Sequence, residues 1–210
     1  MSPNALSRTS SMGTPLDSTL PRILVLGLGD LGDKVTKGLV ENGATEARCI
    51  SISEERLQLG TILAHRALIR RVGMGGSEIS NQFESATENT LMSLPEISPS
   101  MIGNDLVFIT AALEREMVSP ASLALAQAAK TGGALVIGAV TTPHRRERSR
   151  LCEAVHTLKE MRDACDALVV VDNNRLERPP TGTYGASTDS IAGDLLSQLI
   201  GGIVETLSTR

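Results

Sequence analysis

Two glycine clusters carry the clearest chemical signal in this 210-residue chain. The first, Gly27-Leu28-Gly29-Asp30-Leu31-Gly32, has G-x-G-x-x-G spacing and follows a strand expected over Arg22–Leu26. A helix then presents Val35, Leu39 and Val40 on one face and ends near Gly43. In that strand–turn–helix setting, glycines permit a tight turn and let a pyrophosphate approach a helix N-terminus. The same residues also serve close helix–strand packing. Asp30 and Asp33 weigh against an anion, because a carboxylate near a helix start takes its place; Asp33 reads as a helix cap. The second cluster, Gly73-Met74-Gly75-Gly76, is a flexible loop or a nest of backbone N–H groups suited to an anion. Ser77 would cap a following helix that turns Ile79, Phe83 and Ala86 inward.

Charged residues are less specific. Arg145, Arg146 and Arg148 form a basic run that could grip phosphate, but it reads more simply as a solvated helix start. Glu54, after a strand at Cys49–Ile52, stands where a nicotinamide-dependent enzyme holds ribose hydroxyls. An oxidoreductase using Gly27, Gly29, Gly32 and Glu54 is therefore an alternative, although no later stretch supplies a substrate domain. His65, His144 and His156 lack partners at metal-ligand spacing, so no metal site is expected.

The elements that position these residues centre on 103–143. Leu106–Thr110 and Ala134–Val140 are apolar strands, and Ala121–Lys130 between them has helical spacing. Strand, helix, strand builds a parallel sheet covered by helices on both faces, an α/β fold. Between the first strand and the helix, Leu113–Pro120 carries Glu114, Arg115 and Glu116 and no glycine, so it is no phosphate cradle. Apolar segments continue around Leu57–Ile69, which includes Leu59, Ile62, Leu63 and Leu68. Later comes a helix with an inner face of Leu151, Val155, Leu158, Met161 and Cys165. Ala167–Val171 reads as a buried strand, and Asp189–Leu207 as a helix with a stripe of Ile191, Leu195, Leu199, Ile203 and Leu207.

Composition bounds the rest. The length suits one well-buried domain, and 41% apolar with 21% charged residues is ordinary for a globular protein. A net charge of −4, with two Phe, one Tyr and no Trp, speaks against a nucleic-acid partner. Cys49, Cys152 and Cys165 are odd in number and far apart, so reduced thiols and a cytoplasmic setting are expected. No apolar run reaches the roughly 18 residues of a membrane span. Residues 1–20, rich in Ser, Thr and Pro, read as a disordered tail, and 21–210 as a single domain.

Order and motifs resemble the nucleotide-binding domain of the tubulin/FtsZ family. Asp105-Leu-Val-Phe-Ile-Thr-Ala-Ala is similar to A-D-M-V-F-V-T-A-G, and Gly133-Ala-Leu-Val-Ile-Gly-Ala-Val-Thr-Thr-Pro to G-A-L-T-V-G-V-V-T-K-P, with no gap between them. Asp166-Ala-Leu-Val-Val-Val-Asp-Asn-Asn-Arg-Leu resembles D-S-L-I-x-I-P-N-D-K-L, whose asparagine holds the ribose; that role falls on Asn173. Gly73-Met-Gly-Gly matches a G-A-G-G loop that senses the terminal phosphate, and Glu147 with Arg150 resembles an E-G-x-x-R pair one residue shorter. The resemblance implies a Rossmann-like parallel sheet of the FtsZ GTPase-domain type. It also implies a GTP site, with Mg²⁺, on Gly29, Gly32, Gly73, Gly75, Gly76, Arg150 and Asn173.

Departures from the family pattern decide the expectation. The signature G-G-G-T-G-T-G is replaced by Glu114-Arg-Glu-Met-Val-Ser-Pro120, and G-G-A-G-G-N by Gly29-Asp-Leu-Gly-Asp-Lys34. The guanine-stacking aromatic maps to Asp189, the guanine-binding position to Gly193 or Asp194, and the second domain has no counterpart. Left-handed backbone costs a non-glycine residue roughly 1–2 kcal/mol. A carboxylate about 4 Å from a phosphate charge costs on the order of 4 kcal/mol at an effective dielectric near 20. Nanomolar binding amounts to only about 12 kcal/mol. The expectation is a degenerate FtsZ-like pseudo-GTPase with no catalytic residue and no cofactor. It would act by protein contact, with itself or a full-length FtsZ-family filament in cell division. The alternative is a GTP-binding member with slow or partner-dependent hydrolysis.

Overall fold

A computed structural model describes residues 20–44, 46–53, 63–64, 67–73, 100–113, 118–176 and 188–209. Seven strands lie in the order β3-β4-β2-β1-β5-β6-β7. They are β1 Ile23–Leu28, β2 Ala47–Ser53, β3 Leu63–Ala64, β4 Ala67–Gly73, β5 Leu106–Ala112, β6 Leu135–Thr142 and β7 Ala167–Asp172. All pairings are parallel except the short antiparallel one between β3 and β4. The helices are α1 Gly29–Glu41, α2 Val118–Thr131, α3 Arg148–Ala164 and α4 Thr188–Ser208.

Every residue of β1 and β5 is buried, as a parallel sheet covered on both faces requires. Alternation then sorts their side chains. Leu24, Leu26, Val107 and Ile109 pack under α2 and α3, whereas Ile23, Val25 and Phe108 pack under α1 and α4. Phe108 is wholly buried, which contributes about 1.5–3 kcal/mol. Carboxylates tie the amino ends of neighbouring strands together. Asp105 accepts the Arg22 N–H at 2.7 Å, and Asp166 accepts the Val136 N–H at 2.8 Å.

The α/β class, a parallel sheet with helices on both faces, matches the sequence reading, while several details of burial do not. The last helix buries Ala192, Leu196, Ile200 and Val204, leaving Leu195, Leu199 and Leu207 exposed. Small residues explain this register: Ser197 lies against Gly38, and a Cβ on Gly193 would sit 3.1 Å from the Lys34 Cβ, so α4 lies close against α1. In α3 the buried residues are Ala154, Thr157 and Met161, and Val155 is exposed. The final strand is the sheet's edge rather than its interior, with Val170 44% exposed. Leu68 and Ile69 belong to β4, a strand beside β2 that the sequence reading did not separate. Residues 1–19, Glu54, His65 and the helix expected after Ser77 lie outside the described residues.

Candidate functional site

The chain leaves β1 for β2 on one side, and β5 continues the sheet on the other, so a crevice between β1 and β5 opens at the strands' carboxyl ends. Gly29 starts α1 there with φ +64°, a left-handed conformation suited to glycine. The opposite wall is α2, which starts at Val118, three residues before the helix expected from the sequence. Pro120 sits in its first turn, where the missing N–H costs nothing. Val118 is 2% exposed, and its Cγ2 lies 3.4 Å from where a Cβ on Gly29 would stand. The space above Gly29 is therefore filled by a methyl group.

Gly27 and Gly32 meet backbone to backbone. A Cβ on Gly32 would lie 2.1 Å from the Gly27 carbonyl carbon, so this pair holds α1 on β1. Asp33 is no helix cap. Its carboxylate accepts the Ser51 hydroxyl of β2, and the N-cap position is Leu28, with no side-chain cap bond. Asp30 is exposed in the first turn.

Across the crevice, the loops after β6 and β7 are knit by Asn174. Its side-chain oxygen accepts the Arg145 N–H at 2.9 Å, and its amide donates to Asp172 at 2.7 Å. The Asn174 hydrogen bonds, aided by Arg145 and Arg175, hold the Asp172 carboxyl below its ordinary range. Beside it Asn173 is 1% exposed, and neither amide atom has a hydrogen-bond partner among the described residues. Arg150 reaches back to Glu147, with 3.4 Å between Nη1 and Oε2; the contact is an ion pair without hydrogen-bond alignment. Arg145, Arg146, Arg148 and Arg150 are all exposed, as a solvated helix start requires.

The structure thus puts Gly29, Gly32, Gly73, Arg150 and Asn173 at one edge of the sheet, with Gly73 closing β4. Gly75 and Gly76 lie outside the described residues. Val118 was not singled out from the sequence: Ser119-Pro120 read as N-cap and first helical residue would leave it just outside the helix, whereas α2 begins at Val118 itself. Among the described residues no group of acids, histidines and cysteines could hold a metal ion. No described helix is long and apolar enough to cross a membrane.

This arrangement, a parallel sheet with a glycine-led crevice between β1 and β5, is the class of the nucleotide-binding α/β proteins. The Tubulin/FtsZ family, GTPase domain, matches residues 22–179, and the chain belongs to that family. It is 29% identical to cell division protein FtsZ 2 of Methanocaldococcus jannaschii, over 89% of this chain and 50% of that protein. It is 31% identical to cell division protein FtsZ 2 of Haloferax volcanii, over 90% of this chain and 47% of that one. The chain therefore spans about half the length of the curated relatives it matches. The fold matches FtsZ of M. jannaschii with a TM-score of 0.77 at 24% identity, covering 91% of this chain and 58% of the other. CetZ of Methanosaeta thermophila gives 0.71 at 20% identity, over 91% and 56%.

Proposed function

We propose that this FtsZ-like protein is a pseudo-GTPase that keeps the fold as a surface for protein contact, with itself or with a full-length FtsZ-family filament. The observation that carries the reading is Val118 seated over Gly29. A phosphate cradled by that backbone needs the volume the valine fills, and Glu114 and Glu116 stand four and two residues before it in sequence. On this reading no described residue is catalytic, and Val118 over Gly29 does not fit a bound triphosphate. The test is co-sedimentation with a full-length relative under polymerising conditions. The reading expects this chain in the pellet or a changed polymer yield; neither would count against the contact role.

A second reading, GTP binding with slow or partner-dependent hydrolysis, is favoured by one feature. Asn173 keeps a buried amide with no partner among the described residues, at the position the resemblance gives to a ribose. Titration with GTP and Mg²⁺ separates the two readings. The oxidoreductase alternative rests on Glu54, outside the described residues, and gains no support from the family to which the chain belongs.

A further inference from the structure

We propose that the outer face of α4 docks a basic amphipathic helix of a partner protein. The helix would lie along Leu195, Leu199 and Gly202, with its lysines or arginines toward Asp194 and Glu205. This assigns a surface and a partner chemistry to the contact role proposed above, on which it rests.

On α4, steps of four, three and four residues set Leu195, Leu199, Gly202 and Thr206 on one line along the helix, and all of them are exposed. A Cβ on Gly202 would meet nothing within 4 Å, so the line has a notch that can take a large apolar side chain. Beside the notch, the end of α1 and the last turns of α4 enclose a groove of about 570 Å³ that includes Asn42, Gly201, Gly202 and Glu205. A straight apolar strip with a notch and an adjoining groove is the shape in which a helix seats.

Charge selects the occupant. Asp194 and Glu205 stand eleven residues apart, about three turns, so they share one flank of the strip. Both are exposed, and neither carboxylate forms an ion pair among the described residues. From 188 to 209 the chain has no lysine or arginine, and the groove's lining carries Glu46 and Glu205 with no basic residue. On α1, Lys37 pairs with Glu41, and Lys34 lays its stem on Gly193 without an ion pair to Asp194. Neither α1 nor α4 has a basic residue in its last turn, so the negative ends of two helix dipoles meet at this groove. A second copy is disfavoured by the same charges. Antiparallel strips paired about Leu199 would set Asp194 against Glu205, and parallel strips would set each acid against itself. An anionic lipid surface is repelled likewise. An apolar helix with a basic flank satisfies the strip, the notch and the acids together.

The probe is a fluorescein-labelled peptide of leucine and lysine in amphipathic helical order, about 18 residues long so that it runs the length of the strip. A leucine–glutamate counterpart is the control. Fluorescence anisotropy with the full chain, without nucleotide, should show saturable micromolar binding of the first and none of the second. Leu199→Glu should weaken binding about tenfold or more, whereas Val155→Glu on the exposed face of α3 should leave it unchanged. The double change Asp194→Lys and Glu205→Lys should reverse the preference, so that the leucine–glutamate peptide binds instead. All these positions are exposed, and circular dichroism should be unchanged; if Leu199→Glu unfolds, the charge reversal decides. No saturable binding, an equal loss in Val155→Glu, or a preference that survives the reversal would overturn the proposal. So would a dimer in sedimentation velocity that Leu199→Glu separates, because a second copy would then hold the strip. A failed titration removes this site alone, since co-sedimentation, which uses no peptide, judges the contact role separately.

Discussion

The Cγ2 methyl of Val118 lies 3.4 Å from the place a Cβ on Gly29 would take, at the crevice where the strand order reverses. Gly29 itself is left-handed at φ +64°, so its lack of a side chain now serves backbone geometry and packing.

Gly29→Ala should therefore destabilise by roughly 1–2 kcal/mol, the cost of a left-handed alanine. Gly32→Ala should cost more, about 3 kcal/mol, since its Cβ meets Gly27 backbone that cannot swing away. Urea denaturation measures both, and an equal cost for the two would contradict this assignment of their roles.

Val118→Ala removes two buried methyl groups from the core under α2 and should cost about 2 kcal/mol. The same urea denaturation, repeated with GTP and Mg²⁺, should show no nucleotide-dependent gain for the parent chain.

Asn173 offers an opposite sign. A buried amide without partners costs about 1–3 kcal/mol, so Asn173→Leu should leave stability unchanged or raise it. A loss of several kcal/mol would mean that the amide has a partner.

Asp105, Asp166 and Asp172 have carboxyls held below their ordinary range, the first two chiefly by backbone N–H groups and the third by Asn174. A depressed folded value means the unfolded chain binds protons more readily. The stabilisation is then complete above the ordinary carboxylate range and lost as pH falls through the folded values. The melting temperature should be flat near neutrality and fall in acid, and Asp166→Asn should flatten part of that fall.

Burial pushes the Cys49 thiol up to about 12 and the Cys165 thiol to about 11, whereas Cys152 is exposed. A thiol reagent at neutral pH should label one cysteine in the folded protein and three after denaturation.

Much of the scaffold was legible because β1 and β5 are nearly continuous apolar runs, the pattern of strands covered on both faces of a parallel sheet. β4 was hidden by Arg70-Arg71, which interrupt its apolar pattern. In α4 two stripes compete at the same spacing. The leucines of one look more hydrophobic, but Gly193, Ser197 and Gly201 beside the other let α1 approach, and closeness decided which was buried. The glycines of the crevice were visible in sequence, though not that Gly27 and Gly32 would satisfy each other. Nor was it visible that a valine from another helix would sit on Gly29.

Isothermal titration of the full chain with GTP and Mg²⁺ tests the central claim most directly. A crevice closed by Val118 predicts no saturable heat at micromolar nucleotide. A stoichiometric isotherm with micromolar or tighter affinity would show that the methyl group gives way, and would contradict the account.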